Sequence, residues 1–141
     1  MEYDFEDAVA LLARTPATLD AFLRHLPESW TRSNEGAKTW SVFDILGHLI
    51  HGERADWMPR ARMILQFGES KAFEPFDRLA QERDSQGKSL AELLDQFALL
   101  RTESLDQLRD LICDLRTGAG GTPPSMSLRC HNCWQLGPFM T

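Results

Sequence analysis

The chain has 141 residues, 43% of them hydrophobic, which suits one globular domain with a real core and sets disorder aside. A formal net charge of −6 repels phosphate backbones, and no apolar run approaches the roughly 20 residues that span a bilayer, so neither nucleic acid nor membrane is expected as a partner. The acidic N-terminus, MEYDFEDAVA, and three clustered cysteines, Cys113, Cys130 and Cys133, speak against a secreted disulfide framework and for a reducing cytoplasm.

Helical periodicity predicts a first helix from about Asp4 to Leu26. Its inner face is expected to carry Phe5, Ala8, Val9, Leu12, Leu19, Phe22, Leu23 and Leu26. Pro16 lies inside this run, which predicts a kink or a fresh start with Thr15 as cap. Pro27 ends the segment, and residues 27–39 read as a loop.

The second helix, Trp40–Leu65, is the most informative stretch. Ser41 can cap it, with Asp44 three residues on to answer a free backbone donor. Val42, Ile45, Leu46 and Leu49 recur as an apolar stripe. His48 lies at the edge of that stripe, and His51 and Glu53 follow. Pro59 should bend the helix or restart it.

Residues 67–88 are irregular, punctuated by Gly68, Pro75 and Gly87, with Phe73 and Phe76 able to plug a bundle end. The third helix opens on a capping box of Ser89 and Glu92. Leu90, Leu93, Leu94, Phe97, Leu100, Leu108 and Leu111 carry it to about Leu115. No strand alternation or repeat is present, so the fold class is all-α with three long helices.

The tail from Gly118 is rich in Gly, Pro and Ser and has no helical stripe. An antiparallel bundle needs its inner faces closed. A second chain closes them, the tail packs irregularly, or the C-terminus has been altered.

Residues 3–118 resemble the DinB-like superfamily of four-helix bundles. The carrying residues are WSVFDILGHL and ERADWMPRARMIL in the second helix, FEPFDR at 73–78 and DLRTG at 114–118. The resemblance implies an up-down four-helix bundle whose last helix is missing, altered or irregular: residues 1–118 supply three long helices, and residues 119–141 are an atypical tail in place of the fourth. It also implies a divalent metal (Zn, Ni or Fe) between helices, held by one histidine of the second helix and a His-x-x-x-His pair on the last. Such an ion acts as a Lewis acid in hydrolases and thiol S-transferases, on small molecules or low-molecular-weight thiols. His48 matches the second-helix ligand. Nothing in the tail matches the pair, so this chain is expected to be metal-poor and inactive.

The genetic code offers one account of that tail. If each codon's third base is read with the next codon's first two, Asn132–Cys133 and Cys133–Trp134 both yield Leu. Trp134–Gln135 forces Ala, Met140–Thr141 forces Asp, and His131–Asn132 gives Gln unless it is a stop. The shifted frame is compatible with TLSQLLATW, one small residue, then VHD, which resembles the start of the family's last helix. Residues from about Ala119 onward therefore read as a frameshift product.

Other candidates are weighed beside His48. His51 and Glu53 can support a ligand or act as general base, although His51 lies about 60° further from the stripe and so reads as solvated, and Glu53 can instead pair with an arginine. Cys130-His131-Asn132-Cys133 looks like half of a zinc site, and Cys113 alone does not complete it. Asp56, Arg60 and Arg62 form a solvated charged face or a carboxylate grip. Trp40 and Trp57 read as core or interface. A non-catalytic interaction protein, closing its open face as a homodimer, is the alternative to an enzyme.

Overall fold

The computed structural model describes residues 4–77 and 79–117, the side chains of 115–117 excepted. Every regular element among the described residues is helical. The helices are α1 (Phe5–Leu23), α2 (Glu28–Thr31), α3 (Val42–Gly52), a π turn (Glu53–Trp57), α4 (Met58–Phe67), α5 (Ala80–Ser85) and α6 (Leu90–Thr117). The chain divides into two units, residues 1–105 and 106–141.

α1 starts where Asp4 accepts a hydrogen bond from the Asp7 backbone N–H at 3.0 Å. It runs as one continuous helix through Pro16, so the fresh start with Thr15 as cap does not occur. Proline has no N–H to give the carbonyl four residues back. That carbonyl belongs to Leu12, and it accepts instead from Arg101 Nη1 at 3.3 Å. The helix ends at Leu23 rather than Leu26, and His25 takes a left-handed conformation at φ 71°. Its buried stripe is narrower than expected: Val9 and Leu23 are buried and Leu19 partly so. Phe22, placed on the inner face by the sequence, is 74% exposed. Phe22 and Leu23 point about 100° apart on the helix, and of the two it is Leu23 that enters the core.

Within residues 27–39, read as loop, Glu28–Thr31 form the single-turn α2, which buries Thr31. α3 begins as expected. Ser41 Oγ accepts from the Asp44 N–H at 3.2 Å, and Asp44 accepts from the Ser41 N–H at 2.9 Å. Leu46 of the expected stripe is in the core, with Val42 and Leu49 packed against it; Ile45 is 47% exposed instead, and Phe43 and Ile50 join the buried face. The disturbance assigned to Pro59 lies upstream, as a π turn. One wide turn lets the chain enter α4 with Pro59 in the first turn, where no N–H is required.

α6 opens on its expected capping box, with Ser89 N–H donating to Glu92 at 2.7 Å and Ser89 Oγ accepting from the Glu92 N–H at 3.2 Å. Its residues Leu93, Leu94 and Phe97 close the core of the first unit against Leu23, Phe43, Leu46 and Ile50. Each fully buried aliphatic or aromatic side chain there contributes about 1.5–3 kcal/mol. Arg24 ties α1 to α6 by pairing with Asp20 and Asp95.

The second unit is described only over residues 106–117, the last turns of α6, where Arg109 pairs with Asp106 at 3.2 Å. The boundary expected after Gly118, the tail itself and its frameshift reading lie outside the described residues.

Candidate functional site

The side chains around His48 come from α3, from the approach to it, from α5 and from Phe76 in the segment ahead of α5. α5 was not expected. It is six residues long and has no apolar stripe, so periodicity could not reveal it. A local signal does exist. Asp77 accepts from the Leu79 N–H at 3.0 Å, an Asx turn that starts the segment, and its carbonyl takes the Ala80 N–H at 3.3 Å.

α5 packs along α3, and Gly47 permits the approach. A Cβ built on Gly47 would stand 2.5 Å from Ser85 Oγ and 3.6 Å from Gln81 Cβ. Ser85 and Gln81 are both buried, at 5% and 1% exposure. α3 is thus covered on two sides, by the core and by α5.

Two histidines one turn apart on α3 meet two polar residues three apart on α5. His48 Nδ1 lies 2.9 Å from Gln81 Oε1. His51 Nδ1 lies 3.8 Å from Asp84 Oδ2, too long for a hydrogen bond and an ion pair only when the ring is protonated. Phe76 stands between them, its ring 5.5 Å from the His48 ring, edge to face, and 4.8 Å from that of His51. Trp40 covers His48 from the other direction at 4.8 Å. His51 was expected on a solvated face. α5 and Phe76 cover that face, and the His51 side chain is only 12% exposed.

Glu53 is not part of this cluster. Its side chain is 2% exposed and pairs with Arg101, Oε1 standing 2.8 Å from Nε and 2.6 Å from Nη2. Arg101 also stacks over Phe97, 5.1 Å from the ring centroid. Asp56 pairs with Arg60, which lies over Phe73 at 4.9 Å, so both are engaged on the α4 side. Arg62 is exposed. Trp40, expected in the core or an interface, is 42% exposed and belongs to the histidine cluster, whereas Trp57 is 62% exposed. Cys113 is half-buried and in no disulfide, and Cys130, His131, Asn132 and Cys133 lie outside the described residues.

The divalent metal implied by the resemblance was tested against these side chains. Among the described residues no group of three or more His, Cys, Asp or Glu is placed to hold an ion. Zinc-type centres take three or four protein ligands. His48 has one nitrogen committed to Gln81, and the buried atom without a partner beside it, Gln81 Nε2, is a donor that a cation repels. The described residues do not by themselves fit a metal. What they supply is a half-buried imidazole between two aromatic rings, with a fixed partner on one nitrogen.

No helix among the described residues is long and apolar enough to cross a membrane. No curated protein matches the chain. A model of the DinB superfamily matches residues 11–128, reaching past Gly118 into the segment whose pattern departs from the resemblance. That match spans most of the chain and runs through the α1, α3, α5 and α6 segments just described, and the chain belongs to the DinB superfamily.

Proposed function

We propose that this chain derives from metal-dependent enzymes of the hydrolase or thiol S-transferase type, and that it binds metal weakly and is inactive as it stands. The carrying observation is the donor set: His48 has no companion ligands among the described residues, and its Nδ1 is engaged by an amide. The substrate class of the lineage is a small molecule or low-molecular-weight thiol, handled in the cytoplasm. A ligand that binds only the folded state raises stability by about 2.7 kcal/mol at a hundredfold excess over its Kd. Melting curves with and without Zn, Ni or Fe(II) therefore test the reading. Superimposed curves are expected, and a rise of the midpoint that His48→Ala abolishes would contradict it.

The tail belongs to the same proposal. Residues from about Ala119 onward are read as out-of-frame translation of a segment that would complete an up-down bundle and bring the missing histidine pair. Sequencing the gene and its downstream DNA decides this. The neighbouring frame should continue into a His-x-x-x-His, and a stop before it removes the account.

A second reading is a non-catalytic helical protein that pairs with its own copy. Leu11, Phe22 and Leu99 favour it, at 69%, 74% and 61% exposure, with Leu11 and Phe22 on one side of α1. Light scattering discriminates: a dimer supports this reading, and a monomer excludes it.

A further inference from the structure

Gln81 is 1% exposed, and its two amide heads have unequal fates. Oε1 faces His48 Nδ1 at 2.9 Å, while Nε2 is buried without a hydrogen-bond partner. An amide oxygen cannot donate, so with Oε1 turned to the ring a hydrogen bond here requires the proton on Nδ1. A neutral imidazole has one N–H and one lone pair. With the proton on Nδ1, the lone pair sits on Nε2, at the opposite edge of the ring. A solvated histidine side chain favours the other tautomer, with its proton on Nε2. The arrangement at α5 therefore runs against the intrinsic preference of the ring.

The surroundings keep the ring in that pose. Trp40 packs on it at 4.8 Å and tilted by 48°, and Phe76 presents an edge at 5.5 Å. Half a turn of the imidazole would carry Nδ1 away from Gln81. Leaving a buried amide N–H unsatisfied is destabilising. A purely structural residue at this position would be apolar, because a side chain of similar volume would avoid that cost. The position takes the penalty and gains control over one nitrogen.

We propose that Gln81 is a positioning residue that fixes His48 in the Nδ1–H tautomer and so presents a bare Nε2 as base or ligand. This rests on the reading above that His48 was the ligand histidine of the enzymes from which the chain derives, but not on any bound metal. Gly47 is part of the device, since it lets α5 come close enough for the contact.

The test is long-range 15N–1H correlation on the full chain labelled at histidine, well above the ordinary imidazole pKa of about 6.5 so that the rings are neutral. His48→Gln assigns the signals. The expected parent spectrum shows His48 protonated on Nδ1 with a lone-pair shift on Nε2. Gln81→Met should convert it to a majority Nε2–H species, and Gln81→Glu, which keeps an acceptor, should retain Nδ1–H. A merely structural glutamine would lower the melting temperature on replacement by Met and leave the tautomer alone. Nε2–H in the parent, or an unchanged tautomer in a folded Gln81→Met chain, overturns the proposal. Should Gln81→Met fail to fold, the parent spectrum alone still decides it. A metal-binding result in either direction bears on the proposed function and leaves this readout untouched.

Discussion

Arg101 donates to the carbonyl of Leu12, the acceptor that Pro16 leaves without a helical partner, and with the rest of its guanidinium it neutralises Glu53. One side chain from α6 thereby repairs a defect in α1 and carries the charge of the π turn. Its packing over Phe97 keeps it at the edge of the core.

Removing one member of a buried pair leaves the other charge unanswered. Arg101→Leu or Glu53→Met alone should each destabilise the protein by about 3–5 kcal/mol in urea unfolding. The double variant should be markedly less destabilised than the sum, because no charge remains. Additive losses would show that the two side chains do not depend on each other. Restoring a backbone donor with Pro16→Ala should help more in the Arg101→Leu background than in the parent.

Gly47→Ala meets opposing effects. Alanine is worth about 1 kcal/mol over glycine in a helix interior. The new Cβ would stand 2.5 Å from Ser85 Oγ, and Ser85 is buried. Forced overpacking costs about 1–3 kcal/mol, so the single substitution should be destabilising. In a Ser85→Ala background the nearest remaining contact is ordinary, at 3.5 Å, and the same change should stabilise. Thermal unfolding of the four chains reads the reversal of sign, and a uniform sign would show that α5 is not seated through Gly47.

The acid limb of stability should involve Glu92. The Ser89 backbone N–H, and then its hydroxyl, hold this carboxyl below its ordinary value of 4.5. Its folded pKa is therefore lower than its unfolded one. The contribution is fully present above the unfolded pKa and is lost as pH falls through the folded one. Asp20, lowered chiefly by its bond to Arg24, behaves the same way. Glu92→Gln should flatten the loss of stability below about pH 4.5. An acid limb of unchanged steepness would remove the capping carboxylate from the account.

The elements that the sequence made legible are those with long periodicity or reciprocal caps. Ser41 with Asp44 and Ser89 with Glu92 mark their helix starts, because each pair satisfies backbone donors that the helix itself leaves without a partner. Pro16 and Pro59 were visible as irregularities, but their outcomes were not. One was repaired by an arginine 85 positions away in sequence, the other by a π turn. His48 was legible as a flank histidine. Its partner Gln81 was not, because α5 is held by Asp77 and by its packing on Gly47 rather than by an apolar stripe of its own. The same omission misplaced His51, whose solvated face is the face that α5 covers.

The most direct check on the central claim is the metal content of the purified full chain after incubation with Zn, Ni or Fe(II) and removal of excess ion. The donor set around His48 predicts far less than one ion per chain, with no difference between the parent and His48→Ala. Near-stoichiometric metal in the parent that disappears in His48→Ala would contradict it.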